Sequence, residues 1–282
     1  MIRKTIEFIL FSSVFIACCA VAMCIETSLL MHLPLNSLSF YSFVFGATSV
    51  QNNLHYLVKR NAVKGSRRMT WSMRNRSFHL GMIAFGSGLI IFSLFSFHLH
   101  HFIFLLLLGA IACLYSFPVL PFQNKKRLKD FGVLKITTLA LLWTLITVWF
   151  PVNQMNFNVI SFGLVFLRRF VFMFILCLLF DIRDTEVDSQ ENIRTIPVII
   201  GSHKSYIICY SFLSLFVLLS LIQFLHSPEL LPLSVMLASA VATLFTIKYT
   251  KKHNSDFIYL ALVDGMMLLQ ALLVIITSVY FL

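Results

Sequence analysis

The sequence predicts an all-α, polytopic integral membrane protein, and three observations carry that reading. Of its 282 residues, 59% are hydrophobic and only 12% are charged, with a mean hydropathy of +0.89. A soluble domain averages about 25% charged residues, so half that share leaves too little polar surface to coat a globule. The apolar residues also fall in runs long enough to cross a bilayer, which takes about 20 residues of helix. The basic residues, finally, gather between alternate runs. Disordered, coiled-coil and disulfide-framework classes need a polar or cysteine-rich composition, which this chain lacks. Its six cysteines, Cys18, Cys19, Cys24, Cys113, Cys177 and Cys209, lie inside apolar runs and read as small hydrophobes, not as disulfides or metal ligands.

Nine runs qualify as transmembrane helices: 8–30, 38–58, 79–97, 101–117, 131–150, 158–180, 205–225, 230–249 and 257–281. The first follows Arg3 and Lys4 as a signal peptide would. It is too long for one and closes on no small-residue cleavage pattern, so it reads as a retained helix. With nine spans, the N-terminus and the loops after the second, fourth, sixth and eighth share one side. The loop after the second holds Lys59, Arg60, Lys64, Arg67, Arg68, Arg74 and Arg76; the loop after the fourth holds Lys125, Lys126, Arg127 and Lys129; Lys248, Lys251 and Lys252 follow the eighth. Twenty of the 22 Lys and Arg lie on that face or at its helix ends. The positive-inside rule makes the face cytoplasmic, N-terminus included; in a bacterial cell the membrane would be the inner one. The net charge of +11 then follows from topology and from attraction to anionic membrane lipids. No nucleic-acid partner is expected, because no soluble binding module is present.

Acids are scarce, yet five of the eleven fall in one stretch, Asp181-Ile-Arg-Asp184-Thr-Glu186-Val-Asp188-Ser-Gln-Glu191. Asp181, Asp184 and Asp188 stand at i, i+3 and i+7, which puts them on one face if the sixth helix runs through them. Three carboxylates on one face repel unless a cation lies between them. Mg²⁺ suits, because it takes oxygen ligands and is commonly bound by one or two carboxylates plus substrate phosphates. The competing reading is a solvated acidic loop paired with the basic loops beside it.

The acidic run, followed by Arg194-Thr195-Ile196-Pro197-Val198-Ile-Ile-Gly201, resembles the second aspartate-rich motif and the segment after it in the UbiA-type intramembrane prenyltransferases. Tyr115-Ser116-Phe-Pro118, then Lys129 and Gly132-Val-Leu-Lys135, is similar to what that family carries after its fourth helix, and nine helices also match. The resemblance covers essentially the whole chain. It implies a helical bundle around a central cavity: one domain over 1–282, built as two four-helix repeats, about 8–117 and 131–249, plus a ninth helix at 257–281. It also implies binding of an allylic isoprenoid diphosphate through Mg²⁺ and transfer of the prenyl group to a lipophilic acceptor. Carried over residue by residue, Asp181, Asp184 and Asp188 become catalytic and metal-binding positions. Tyr115, Lys129, Lys135 and Arg194 become substrate-binding ones.

A repeat places a counterpart of the acidic motif four helices earlier, at the end of the second run. There the chain departs from the family, whose pattern is Asn-Asp-x-x-Asp-x-x-x-Asp. The matching stretch reads Asn52-Asn53-Leu-His55-Tyr56-Leu-Val-Lys59-Arg60, so Asn53, Tyr56 and Arg60 take the acidic positions. One Mg²⁺ is therefore expected, at the second motif. Asn52, Asn53, Tyr56, Lys59 and Arg60 become expected substrate contacts, Arg60 as a bidentate fork and Lys59 as a fixed cation. Alternatively, Arg60 pairs with Asp184 or Asp188 and closes a metal-free bundle. Two functions stay open: a prenyltransferase, or a non-catalytic relative that binds an isoprenoid or another lipid or serves as a structural partner. Asn192 stands where the family usually has glycine, and asparagine tolerates the left-handed backbone glycine would supply.

Burying other ionisable groups at membrane depth costs about 2.5–3.5 kcal/mol even on lenient scales. Asp264 falls about two turns into the ninth helix, within reach of the basic end of the second if the two pack. Arg168 and Arg169 either line the cavity or snorkel to the nearer headgroups. Glu26 is expected at the interface, and His98, His100 and His101 in a wet loop rather than at a metal. Walker, nucleophile-elbow, dinucleotide and zinc patterns do not occur, which leaves NTPase, hydrolase and dehydrogenase readings without support. Reporter fusions test the topology. Those at 70, 127, 190 and 252 should read cytoplasmic and those at 35, 99, 154 and 227 the opposite side, and one swapped pair overturns the order.

Overall fold

A computed structural model describes residues 2–58, 67–116, 132–152 and 157–281. Lys59, Arg60 and Lys129 lie outside the described residues, as do the side chains of Tyr115 and His100. All regular structure among the described residues is helical: α1 (Ile2–Phe11), α2 (Val14–Leu30), α3 (Leu38–Val58), α4 (Arg67–Arg74), α5 (Arg76–Leu94), α6 (Leu99–Ser116), α7 (Gly132–Thr144) and α8 (Phe150–Val152) form the first part. They are followed by α9 (Val159–Arg183), α10 (Thr185–Gln190), α11 (Ile196–Ile200), α12 (Ser202–His226), α13 (Leu230–Thr250), α14 (Asp256–Ile258) and α15 (Asp264–Phe281). π-helical turns, Leu145–Trp149 and Tyr259–Val263, join α7 to α8 and α14 to α15.

Among the described residues, six helical segments have the length and apolarity to cross a bilayer: Arg76–Leu94, Gly132–Val152, Val159–Arg183, Ser202–His226, Leu230–Thr250 and Asp256–Tyr280. Val14–Leu30 and His101–Ala112 are shorter apolar helices, and α3 occupies the expected second run. The first run is not the single helix its composition suggests. It breaks at Ser12–Ser13, where Ser12 Oγ donates to the Ile9 carbonyl at 3.1 Å and Ser13 takes φ 65°. Serine hydroxyls compete with the helix for its own backbone groups, and two in succession end it.

The chain forms two compact units. One comprises Met1–Leu29, Pro34–Phe97 and His253–Leu282. Here α3 crosses α5 at Gly46 and Gly86, where a Cβ on Gly46 would lie 2.6 Å from the Gly86 carbonyl oxygen and one on Gly86 2.9 Å from that of Gly46. Lipid supplies no hydrophobic drive between helices, so close backbone approach at small residues is what packs them. Glu26 is fully buried in this unit and accepts a hydrogen bond from Gln270 Nε2 at 2.9 Å, which overturns its expected interfacial position. Asp264 is also buried in this unit.

The other unit comprises Leu30–Leu33 and His98–Lys252. Its spine is α9, packed against α7 and α12 and buried at every residue from Val171 to Leu179. A helix apolar on all sides takes the centre of a bundle. The Asn158 side chain caps its start, accepting from the backbone N–H of Ile160 at 2.9 Å and of Ser161 at 3.2 Å. Near that start, Met31, Val148, Val152 and Val165 form an apolar cluster.

Beyond the far end of α9, the first residue of α7 meets the Arg194–Thr195 backbone so closely that a Cβ on Gly132 would sit 1.3 Å from the Arg194 carbonyl oxygen. Gly132→Ala should therefore lower the unfolding temperature in detergent, at the upper end of the roughly 1–3 kcal/mol typical of overpacking. Gly163→Ala, within α9 and with nothing within 4 Å of the new methyl, should hold or raise it. Equal midpoints for the two variants would refute this close approach.

Candidate functional site

The acidic motif lies where α9 ends. Thr185 Oγ1 donates to the carbonyls of Asp181 at 3.2 Å and Ile182 at 2.8 Å, and Asp184 falls at the junction before α10 with φ −90° and ψ 7°. The sixth predicted helix thus does not run through all three aspartates, and they do not share one face. Asp181 and Asp188 converge on a single cation instead: Lys135 Nζ lies 2.9 Å from Asp181 Oδ1 and 3.0 Å from Asp188 Oδ2. Both carboxylates are buried. Asp184 turns the other way, toward the Arg183 guanidinium, with Nε to Oδ1 at 2.7 Å and Nη2 to Oδ2 at 3.0 Å, and its side chain is 39% exposed.

The chain then returns through Asn192, which adopts the expected left-handed backbone at φ 56°. Ile193 N–H donates to the Asp188 carbonyl at 2.8 Å, and the exposed Arg194 presents its own carbonyl to Gly132. This contact gives Gly132-Val-Leu-Lys135 a physical reading. Only glycine allows α7 to start against that loop, and Lys135, three residues on, then reaches the two carboxylates.

Two carboxylates and one ammonium leave the cluster formally at −1. Burial lifts the Asp188 carboxyl above the usual carboxylate range, and Lys135 draws it back only in part. A carboxyl raised on folding contributes stability below its unfolded pKa, and that contribution is lost as pH rises through the folded value. At neutral pH burial of the Asp188 carboxylate is therefore a net cost, which its pairing with Lys135 offsets in part. Asp181 Oδ2 is buried with no hydrogen-bond partner among the described residues. No group of three His, Cys, Asp or Glu side chains among the described residues is placed to hold a metal. Mg²⁺ is often completed by substrate phosphates on one or two protein carboxylates. Asp181 and Asp188 fit an ion that arrives with a diphosphate.

The first-motif positions lie in the other unit. Asn53 is fully buried; its Nδ2 donates to the Ser49 carbonyl at 2.8 Å and its Oδ1 faces His79 Nδ1 at 2.5 Å. His79 Nε2 in turn meets Ser72 Oγ at 2.7 Å. A neutral imidazole satisfies the chain, with Nδ1–H donating to Asn53 and Nε2 accepting from the serine hydroxyl. Tyr56 is half-buried with the Arg68 guanidinium 4.3 Å above its ring, a cation–π contact. Asn52 Nδ2 donates to the Thr48 carbonyl at 2.9 Å. The sequence reading missed His79; its one signal was a polar residue opening an otherwise apolar run. Arg168 and Arg169 are buried and not snorkelled, with Arg168 Nη1 donating to Gln223 Oε1. His98 is exposed and its backbone N–H donates to His101 Nδ1 at 3.2 Å.

A model of the UbiA prenyltransferase family matches residues 74–269. The chain belongs to that family. The match begins after the 52–60 stretch in which the aspartates are lost. Solved UbiA structures share the fold. A homologue from Archaeoglobus fulgidus bound to DMAPP and Mg²⁺ has a TM-score of 0.63 at 16% identity, covering 97% of this chain and 99% of that one. An apo homologue from Aeropyrum pernix K1 has a TM-score of 0.65 at 12% identity, with coverage of 92% and 97%. A digeranylgeranylglyceryl phosphate synthase has a TM-score of 0.60 at 15% identity over 99% of both chains. No curated protein matches the chain in sequence.

In this UbiA-family protein, removing Lys135 strands two buried carboxylates. Lys135→Ala should cost about 3–5 kcal/mol of stability, and a Lys135→Ala/Asp188→Asn double variant should recover a large part of it. Thermal unfolding of the single and double variants checks this, and simple additivity of the two losses would refute the pairing.

Proposed function

We propose that this protein is a membrane prenyltransferase that moves an isoprenoid chain from an allylic diphosphate to a lipophilic acceptor. The observation that carries the proposal is the buried Lys135–Asp181–Asp188 cluster, whose Asp181 Oδ2 has no hydrogen-bond partner among the described residues. Buried ion pairs are poor stabilisers compared with apolar packing, and a cluster that leaves an oxygen bare is a poor one even among them. Perturbed, desolvated charges of this kind gather at functional sites. The family membership and the A. fulgidus homologue's structures with DMAPP, GPP and Mg²⁺ support an isoprenoid diphosphate as the ligand.

Cleavage of the allylic C–O bond leaves a carbocation and a departing diphosphate, and fixed positive charge aimed at the departing oxygens lowers that barrier. Lys135 supplies such a charge, already desolvated and held in place by two carboxylates. One Mg²⁺, held by Asp181 and Asp188 with the diphosphate, would add neutralising charge on the same leaving group. Arg194, Lys129, Tyr115, Lys59 and Arg60 are proposed as further contacts to the diphosphate, and Asn52 and Tyr56 to the rest of the substrate. Asn53 offers no carboxylate, which limits the proposal to one ion. The proposal includes the two-repeat organisation and a cytoplasmic acidic motif, the latter supported by the positive-inside count.

One observation favours a second reading. Asn53 is fully engaged by His79 and Ser49, and Lys135 already occupies the gap between the two acids, as in a non-catalytic relative that binds an isoprenoid or another lipid. Proteoliposomes given a panel of allylic diphosphates, with and without Mg²⁺, separate the two. Release of inorganic diphosphate needs no knowledge of the acceptor, because water also captures the carbocation. The transferase reading expects Mg²⁺-dependent release that falls about 10²–10³-fold in Asp181→Asn, the loss typical of removing one transition-state charge contact. Saturable binding of the diphosphate without release establishes the second reading.

A further inference from the structure

Beside the acidic cluster lies a polar group to which the sequence reading gave no role. Thr195 is fully buried, and its Oγ1 has no hydrogen-bond partner among the described residues. It belongs to the same unit as the cluster and directly precedes α11. Threonine in that place ordinarily caps the helix with its side-chain oxygen. Here it makes no such bond, and Pro197, the second residue of α11, has no N–H to offer. The Thr195 backbone is engaged elsewhere: its N–H donates to the Ile193 carbonyl at 3.0 Å, and its carbonyl accepts from Ile199 N–H at 3.0 Å. The hydroxyl therefore serves neither the helix nor the turn before it.

Position ties this hydroxyl to the cluster. A Cβ on Gly132 would lie 2.6 Å from the Thr195 backbone nitrogen, and Lys135 stands about one helical turn further along α7. An ammonium has three donors. Lys135 gives two of them to Asp181 Oδ1 and Asp188 Oδ2, and its side chain is 20% exposed, so the site opens there. Asp181 Oδ2, by contrast, is a buried acceptor with no donor among the described residues. The unmet demands are of two kinds. An ammonium N–H and a hydroxyl need acceptor oxygens, and a carboxylate oxygen needs a cation. A diphosphate that arrives with a divalent ion brings both.

Building on the diphosphate reading above, we propose that the Thr195 hydroxyl is a further substrate contact, donating to a diphosphate oxygen beside the third N–H of Lys135. Hydrogen bonds to a charged acceptor are the strong kind. A hydroxyl left bare in the empty site is destabilising, and groups of that sort persist where binding needs them.

Inorganic diphosphate with Mg²⁺ is titrated calorimetrically into the full-length protein in detergent, and thermal unfolding of the ligand-free protein is recorded beside it. Thr195→Val keeps the shape and removes the hydroxyl. It should weaken diphosphate binding at least about tenfold while the unfolding temperature holds or rises. Thr195→Ser, which keeps the hydroxyl, should bind within about threefold of the original chain. A Thr195→Val protein that unfolds at a lower temperature, or does not fold, shows that the hydroxyl serves the fold and overturns the proposal. Unchanged binding in Thr195→Val, with binding weakened in Asp181→Asn, also overturns it and leaves the diphosphate reading standing. Failure of diphosphate to bind the original chain overturns that reading and this one together.

Discussion

In a bilayer the constraint that orders everything else is that no polar group inside the hydrocarbon can turn to water for a partner. Four buried polar contacts of this protein follow it across helices. Glu26 takes the Gln270 amide, Asn53 takes His79, Arg168 gives to Gln223, and Asp181 and Asp188 share Lys135. Each contact joins residues far apart in the chain. In a solvent that offers no hydrophobic drive between helices, such contacts and close approaches like Gly46 against Gly86 select one packing from many.

The helices were legible because this constraint acts on them one at a time. A run must satisfy its own backbone and present apolar side chains to lipid, so hydropathy alone located α3, α9, α12 and α13 to within three residues at either end. The left-handed Asn192 was legible for the same reason, since its backbone need is local. The break at Ser12–Ser13 was equally local, and two adjacent serines in an apolar run were its signal. The end of α9 at Arg183 was harder. Asp-Ile-Arg-Asp-Thr-Glu is compatible with continued helix, and the kink depends on Thr185 turning its hydroxyl back onto the carbonyls of Asp181 and Ile182.

Pairing, by contrast, is a property of two helices at once. The acidic run announced a need for a cation, and spacing offered three candidates of equal standing: a metal, Arg60, or the surrounding basic loops. The structure assigns Lys135 to Asp181 and Asp188. It is held in register by Gly132, whose missing side chain lets α7 start against the Arg194 carbonyl. Nothing in the charge pattern of one helix reveals a glycine clearance on another. The 52–60 stretch shows the same limit from the other side, because Asn53 reads from sequence as a substrate contact and the structure pairs it with His79 of another helix.

The arginine pair within α9 and the acidic motif at its end are also electrically separate, which bears on how a site can change while its fold persists. Nine buried residues in succession, Val171 to Leu179, lie between the arginine pair and Asp181. Across about 20 Å of helix, two unit charges interact by only about 0.8 kcal/mol at an effective dielectric constant near 20. The Lys135 ammonium, at hydrogen-bonding distance from both acids, interacts with each several times more strongly. Among the described residues, the acidic site is thus governed by groups within a few ångströms, Lys135 and Arg183. Substitutions at the arginine pair leave its electrostatics nearly unchanged. What sets the acidic site is Lys135, a cation built into the chain between two carboxylates for which the sequence had left a metal, Arg60 and the basic loops all open.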